Sequence, residues 1–365
     1  MPLNLDTLGE IMLHLNRRDA IQMSRTCHNL QNVSPRAVLR EEVVIRSISK
    51  FVSFCSYMSR NPSRRSHCLR RLYLSLSGYD DTPDLGELVA WMFRLSTELV
   101  SLRLANCNML ELDERVSCAL AQLTKLRRLK FYCSSVQDCH LLKTIQAPLT
   151  AIEVSSRHLE EAVDPNPVFA RFSDTLEDLN VKYATFRSAD VRYPRLVRLR
   201  AGLCQYPELR PIVISFPNIR GLTLHTEYYA GNGFEDWEIE DRRQFNLIQA
   251  DSLSLVLDRL EGTITNLYIL APRGKVGHLN VGMSCLETLD YSTRLTTLLS
   301  DLHPSRLDIQ LSLPGFDISL LGNVLAPAAD SLAWVVIRLN VTGNEWEDPS
   351  PRIVSSEQRR LRRVR

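Results

Sequence analysis

Apolar residues in this chain follow two periods. From residue 69 onward a phrase recurs with three apolar positions, the second three residues after the first and the third two after that. It reads Leu69-Leu72-Leu74, Leu99-Leu102-Leu104, Leu126-Leu129-Phe131, Leu149-Ile152-Val154, Leu176-Leu179-Val181, Leu196-Leu199-Ala201 and Ile219-Leu222-Leu224. After a longer gap come Ile264-Leu267-Ile269 and Leu286-Leu289-Tyr291, then two looser copies, Leu307-Ile309 and Leu332-Val335-Ile337. Positions two apart lie on one face of a strand. The residue between them is polar or amphipathic in each good copy: Tyr73, Arg103, Lys130, Glu153, Asn180, Arg200, Thr223, Tyr268 and Asp290. The phrase therefore predicts a short strand with one buried and one exposed face. Between the phrases the period changes to that of a helix. Leu85, Leu88, Val89, Met92, Phe93 and Leu95 share one helical face, as do Val116, Ala119, Leu120 and Leu123; residues 250–260 and 292–302 read the same way.

Leucine and isoleucine are common here, and chance alone gives about four or five such phrases. The count does not decide the matter; the spacing does. The starts at 69, 99, 126, 149, 176, 196 and 219 are 30, 27, 23, 27, 20 and 23 residues apart, around the length of about 20–29 residues of a leucine-rich repeat. The phrases also share an entrance. Pro194 and Pro217 stand two places before the first apolar residue and Pro148 one place before, while Thr175, Thr263 and Ser331 directly precede theirs. One strand–helix unit cannot bury its own apolar face, so such units are stable only when stacked in register. The expected fold class is therefore α/β: an irregular leucine-rich-repeat-like solenoid of short parallel strands alternating with helices, over residues 69–339. The repeats are irregular because the Asn/Cys position after the last leucine is filled only by Cys107 and Cys204. An ordinary α/β domain with leucine-rich strands is the alternative.

The first forty residues follow a different pattern. Leu3, Leu8, Ile11, Leu15, Ala20, Met23 and Cys27 recur every three to five residues, which predicts helices over about 6–15 and 19–26 with a turn at 16–19. Asp6 and Asp19 are suited to start them. So small a helical segment has a marginal core and needs a neighbour or partner to cover it. Residues 41–68 read as a helical connector, with Val44, Ile45, Ile48, Phe51, Val52 and Cys55 spaced for one buried stripe.

Over about residues 3–40 the sequence resembles the F-box. Leu3, Asp6, Leu8, Ile11, Leu15, Asp19 and Cys27 stand at the family's relative spacing. Asn4 replaces the usual Pro, Ala20 the common Leu, Thr26 the common Val and Leu30 the frequent Trp. The resemblance implies docking on a Skp-type adaptor of a cullin complex through Leu3, Asn4, Leu8, Ile11 and Leu15, while the following domain captures an unknown protein substrate. The Asn at position 4 implies weaker adaptor contact than the family's norm. A helical cap shielding the first repeat is the alternative.

Composition narrows the class without choosing the partner. With 44% hydrophobic and 24% charged residues, the chain has enough apolar material for a large core. Its 44 Lys+Arg and 42 Asp+Glu leave a net charge of +2, and binding to nucleic acid would need a local basic patch. The start, MPLNLDTLGE, has no secretory signal pattern, and no apolar run reaches the roughly 18–20 residues of a membrane span. Nine cysteines without a CxxC pair fit reduced thiols in cytoplasm or nucleus. Residues 340–365 read as a disordered basic tail ending in Arg359, Arg360, Arg362, Arg363 and Arg365, more a solvated end than a nucleic-acid contact.

Catalytic signatures do not emerge. Phosphate-binding glycine loops, nucleophile elbows and paired zinc histidines are missing from the sequence, so neither an enzyme nor a cofactor is expected. Cys133, Cys139 and His140 are neighbours in sequence, short of the roughly four ligands a structural metal needs. The feature that reads as recognition is an insertion around 225–246, richest over His225–Arg243. There Tyr228, Tyr229, Phe234 and Trp237 stand among Glu235, Asp236, Glu238, Glu240 and Asp241. These four aromatics are the candidate partner-binding residues, unless they simply pack on their own repeat.

Overall fold

The computed structural model describes residues 4–76, 84–105, 113–133, 142, 144–156, 163–203, 206–226, 235–250, 255–282, 291–312 and 321–340. The chain divides into two compact units, residues 1–183 and 184–365.

The first unit opens with four short helices, α1 (Leu5–His14), α2 (Arg17–Ser24), α3 (His28–Val33) and α4 (Pro35–Val38). The carboxylates expected to start them lie one step inside. Asn4 caps α1, its Oδ1 accepting from the Asp6 N–H, and Asn16 caps α2 by accepting from the Asp19 N–H at 3.0 Å. Asp6 and Asp19 instead occupy the first turns, where negative charge offsets the free backbone N–H groups. Met12, Ala20, Leu30, Val38 and Leu39 form the shared core.

The connector is not helical throughout. Its start is a strand, β1 (Val43–Ile45), followed by α5 (Ile48–Ser59) and α6 (Pro62–Ser66). β1 runs parallel to β2 (Arg71–Ser75), with Val43 opposite Leu72 and Ile45 opposite Leu74. The repeat sheet therefore begins one strand before the first leucine phrase. Three residues are too few to show a period of two, and Val44 and Ile45 also fit the helical spacing of the segment that follows. Val44 faces outward at 42% exposure, and Val52 is 46% exposed; Phe51, Cys55 and Met58 bury α5 instead. α6 is held by Arg65, a buried guanidinium lying over the Tyr57 ring, 3.9 Å from its centroid, and donating to the Tyr57 carbonyl.

Burial pushes the Cys55 thiol up from an ordinary 9.0 to about 12. Between those values the unfolded chain releases a proton that the folded chain keeps. Stability present below pH 9 is therefore lost progressively as pH rises through this window. At pH 8, iodoacetamide should label the exposed Cys27 and Cys118 and leave Cys55 unmodified until the chain unfolds. Peptide mapping that found Cys55 modified at the same rate would refute its burial.

The first unit continues with α7 (Leu85–Leu95), β3 (Ser101–Ala105), α8 (Glu114–Ala121), β4 (Arg128–Cys133), β5 (Ala151–Ser156), α9 (Pro165–Phe169) and β6 (Asp178–Ala184). The strands are parallel in chain order, and one inward column runs through Val43, Leu72, Leu102, Leu129, Ile152 and Leu179. Each such side chain contributes about 1.5–3 kcal/mol on burial. Consecutive repeats are joined at the strand entrance: the N–H of Val100 donates to the carbonyl of Arg70, Arg127 to Val100, Thr150 to Arg127 and Glu177 to Thr150. The Thr175 hydroxyl adds a 2.8 Å bond to the Leu149 carbonyl, so this entrance residue acts by tying its repeat to the one before.

The second unit repeats the plan. It comprises β7 (Arg198–Leu203), α10 (Leu209–Ser215), β8 (Gly221–Thr226), α11 (Asp236–Ala250), β9 (Leu257–Thr263), α12 (Ile264–Leu270), β10 (Val276–Gly282), α13 (Tyr291–Leu302), β11 (Arg306–Ser312), α14 (Leu321–Leu325) and β12 (Trp334–Asn340). Its inward column is Leu199, Leu222, Leu260, Leu279 and Leu307, again in parallel register, and Val335 continues it on the last strand at 38% exposure. One expected strand is corrected here, and a second only at its last residue. Ile264-Leu267-Ile269 is helix α12, with Thr263 as its cap accepting from the Asn266 N–H at 3.4 Å. The strand is β9, whose first four residues fall in the 250–260 segment expected to be helical. Tyr291 opens α13, while Leu286 and Leu289 lie outside the described residues. The long interval is thus one extended repeat, from Leu222 to Leu260, followed by a short one from Leu260 to Leu279. Each unit is a stack of short parallel strands alternating with helices, the irregular leucine-rich-repeat-like solenoid.

Candidate protein-docking surfaces

At the amino-terminal end, α1 divides its apolar residues between two faces. Met12 turns inward and is 1% exposed, while Ile11 is 40% exposed. Leu8 and Leu15, three residues before Ile11 and four after it, are half-buried and share its side of the helix. Asn4 sits exposed at the head of this stripe as the cap. Four of the five residues that the F-box resemblance assigns to an adaptor are thereby placed on or at the end of one partly exposed surface. Leu3 lies outside the described residues.

In the second unit α11 buries Ile239 together with two polar residues, Arg243 and Asn246. Its inward face is fixed by polar anchors. Arg243, 4% exposed, donates to the Tyr268 carbonyl at 2.6 Å and to Asp301 at 2.5 Å, and stacks 4.2 Å from the Tyr268 ring centroid. Asn246, 1% exposed, accepts from the Leu209 N–H at 3.0 Å and donates to the carbonyls of Pro207 and Ile269 at 2.9 and 2.8 Å. Glu240 accepts from Gln244 and from the Tyr268 hydroxyl, which holds its carboxyl below the usual range. The outward face carries three large apolar side chains beside the exposed Asp241 and Gln244: Trp237 is 63% exposed, Phe245 43% and Ile248 78%.

Trp237, Asp241, Phe245 and Ile248 follow one another at four, four and three residues and so form a single stripe. Beside it Tyr206 closes a shallow cavity of about 390 Å³, lined also by Trp237, Glu238, Asp241, Arg242 and Phe245. The Tyr206 hydroxyl donates to Glu238 at 2.9 Å, and the Arg242 guanidinium lies over its ring, 5.4 Å from the centroid. Of the four aromatics singled out in the sequence, Trp237 is in this surface; Tyr228, Tyr229 and Phe234 lie outside the described residues. Tyr206, Phe245 and Ile248 were missed. The helical spacing from Trp237 to Ile248 was the available signal, hidden because Arg243 and Asn246 look like the solvent side of the helix.

The outward strand faces are charged but largely paired within themselves. In the first unit Arg103 lies 3.5 Å from Glu42 and over the Tyr73 ring, and Lys130 pairs with Glu153 at 2.5 Å. In the second unit Arg259 pairs with Glu261 at 2.7 Å. The nearly buried Asp308 gathers His278, Arg306 and Arg338 at 3.4, 3.3 and 3.8 Å. A pair open to solvent, such as Arg259 with Glu261, contributes about 0–1 kcal/mol.

Among the described residues no group of three or more His, Cys, Asp or Glu could hold a metal ion, and no helix is long and apolar enough to cross a membrane. Cys133 ends β4, and Cys139 and His140 lie outside the described residues. No family model matches the chain, and neither does any curated protein. Among solved structures, the chain is similar to the leucine-rich repeat-containing protein LegL7 from Legionella pneumophila. The two are 14% identical over 84% of this chain and 87% of that one, with a TM-score of 0.35. The fold is assigned from strand register, not from that likeness.

Proposed function

We propose that this chain is a non-catalytic substrate-recognition subunit of a cullin-type ubiquitin ligase, working in the cytoplasm or nucleus. Helices α1–α4 would dock a Skp-type adaptor, and the repeats would hold a target protein. The observation that supports it is the stripe of Leu8, Ile11 and Leu15 on α1, apolar and partly open to solvent. Desolvated apolar anchors of this kind dominate the energy of an interface. The subunit would contribute effective concentration, keeping a target near a transfer enzyme held elsewhere in the assembly.

A second reading is a repeat scaffold with no ubiquitin role. β1 stands at the end of the strand order, and a stack end needs a cover with a polar outer face, which α1–α4 could supply. Pull-down with a Skp-type adaptor separates the two. The intact chain should bind, and changing Leu8 and Ile11 together to Asp should weaken binding at least 100-fold with the circular dichroism melt unchanged. An intact, folded chain that captures no adaptor retires the ligase role and leaves the scaffold.

A further inference from the structure

The outer face of α11 presents large apolar side chains where a surface helix usually presents polar ones. The stripe from Trp237 to Ile248 spans about 16 Å at helical rise, and exposed aromatic clusters of this kind mark interaction surfaces. Its charge is informative. Glu238 is engaged by the Tyr206 hydroxyl and Arg242 by the Tyr206 ring. Among the described residues no hydrogen bond or ion pair engages the carboxylate of Asp241, which stands between Trp237 and Phe245 in the stripe. The exposed Glu235 adds a further negative charge next to Trp237.

We propose that this face docks a short protein segment bearing a lysine or arginine among aliphatic residues. The aliphatic stem of the basic residue lies between the Trp237 indole and the Phe245 ring, its cation meets Asp241, and its neighbours cover Ile248. Long basic side chains suit such a place because their stems are apolar and their heads are not, and a cation near an indole face gains a further attraction. A purely apolar segment would strip water from Asp241 and leave the carboxylate unpaired. An acidic segment or an anionic lipid surface would meet like charge at Asp241 and Glu235. The cavity is at the small end of the range for ligand pockets, about 300–1,000 Å³, and holds one side chain. The proposal names the class of target for the recognition half of the function proposed above, and does not depend on the adaptor.

The test uses the full chain and two labelled 14-residue amphipathic peptides, one of leucine and lysine and the other of leucine and glutamate. Fluorescence anisotropy should show binding of the leucine–lysine peptide alone. Trp237→Ala and Asp241→Lys should each weaken it at least tenfold with unchanged melting. Adaptor pull-down by Trp237→Ala should equal that of the intact chain, so failure here and failure of the ligase reading remain distinguishable. The proposal is overturned if the leucine–lysine peptide does not bind, or binds Asp241→Lys as well as the intact chain. Equal binding of the leucine–glutamate peptide would overturn it too, as would a dimer in sedimentation that Trp237→Ala dissolves.

Discussion

Changing Asn246 to alanine should lower the unfolding free energy by about 3–5 kcal/mol. Its side chain satisfies three backbone groups from two neighbouring segments, the Leu209 N–H and the carbonyls of Pro207 and Ile269. The residue is 1% exposed, so water does not replace it without rearrangement. A buried polar group left unpaired costs about 1–3 kcal/mol, and an intact hydrogen bond contributes only about 1. Most of the loss therefore comes from the orphaned backbone, not from the bonds themselves. Asn246→Leu separates the terms, because it keeps the branched heavy-atom skeleton and removes the bonds; it should be nearly as damaging as alanine. Urea unfolding of both variants checks this. A loss below about 1 kcal/mol for either would show that α11 is not anchored through this residue. The anchor matters for the exposed stripe, because it allows α11 to attach without spending Trp237, Phe245 and Ile248 on the interior.

The same mixed polarity of both faces explains where sequence and structure part. The regular copies from Leu69 to Leu224 were legible because every strand kept two inward apolar residues and a polar one between, and because their spacing matched one repeat. α11 was half legible: Trp237 stood out as an aromatic among charges, but a polar Arg243 and Asn246 on the inner face erased the periodicity that marks a helix. β1 was too short to show its period of two. On α1 the stripe of Leu8, Ile11 and Leu15 was readable at helical spacing, whereas its cap was not: Asp6 and Asn4 are both competent acceptors, and only backbone geometry shows that Asn4 takes the role. The short repeat at β9–α12 failed for a different reason, a missing side chain.

That side chain is the one at Gly262. Its register places it in the inward column, opposite Leu224 on one side and Val281 on the other, where the other strands of this unit carry alanine, valine, leucine or isoleucine. A leucine phrase written as Leu257-Leu260-Gly262 lacks its last member, so the eye moves on to Ile264-Leu267-Ile269, which has all three. The structure shows why glycine stands there. α12 begins at Ile264, immediately after β9 ends at Thr263, and the first turn of the helix brings Leu267 back over the strand. A Cβ at Gly262 would fall 2.5 Å from the Leu224 carbonyl oxygen and 3.1 Å from Leu267 Cδ2. The first of these is backbone and does not yield. Gly262→Ala should therefore cost about 1–3 kcal/mol, the usual penalty for overpacking. Gly262→Leu, which restores the repeat phrase on paper, should cost about 3 kcal/mol or more. Urea midpoints of the two variants test the order as well as the size. A Gly262→Leu chain as stable as the original would mean that a leucine fits the column after all, and that residues 264–269, not 257–263, form the strand.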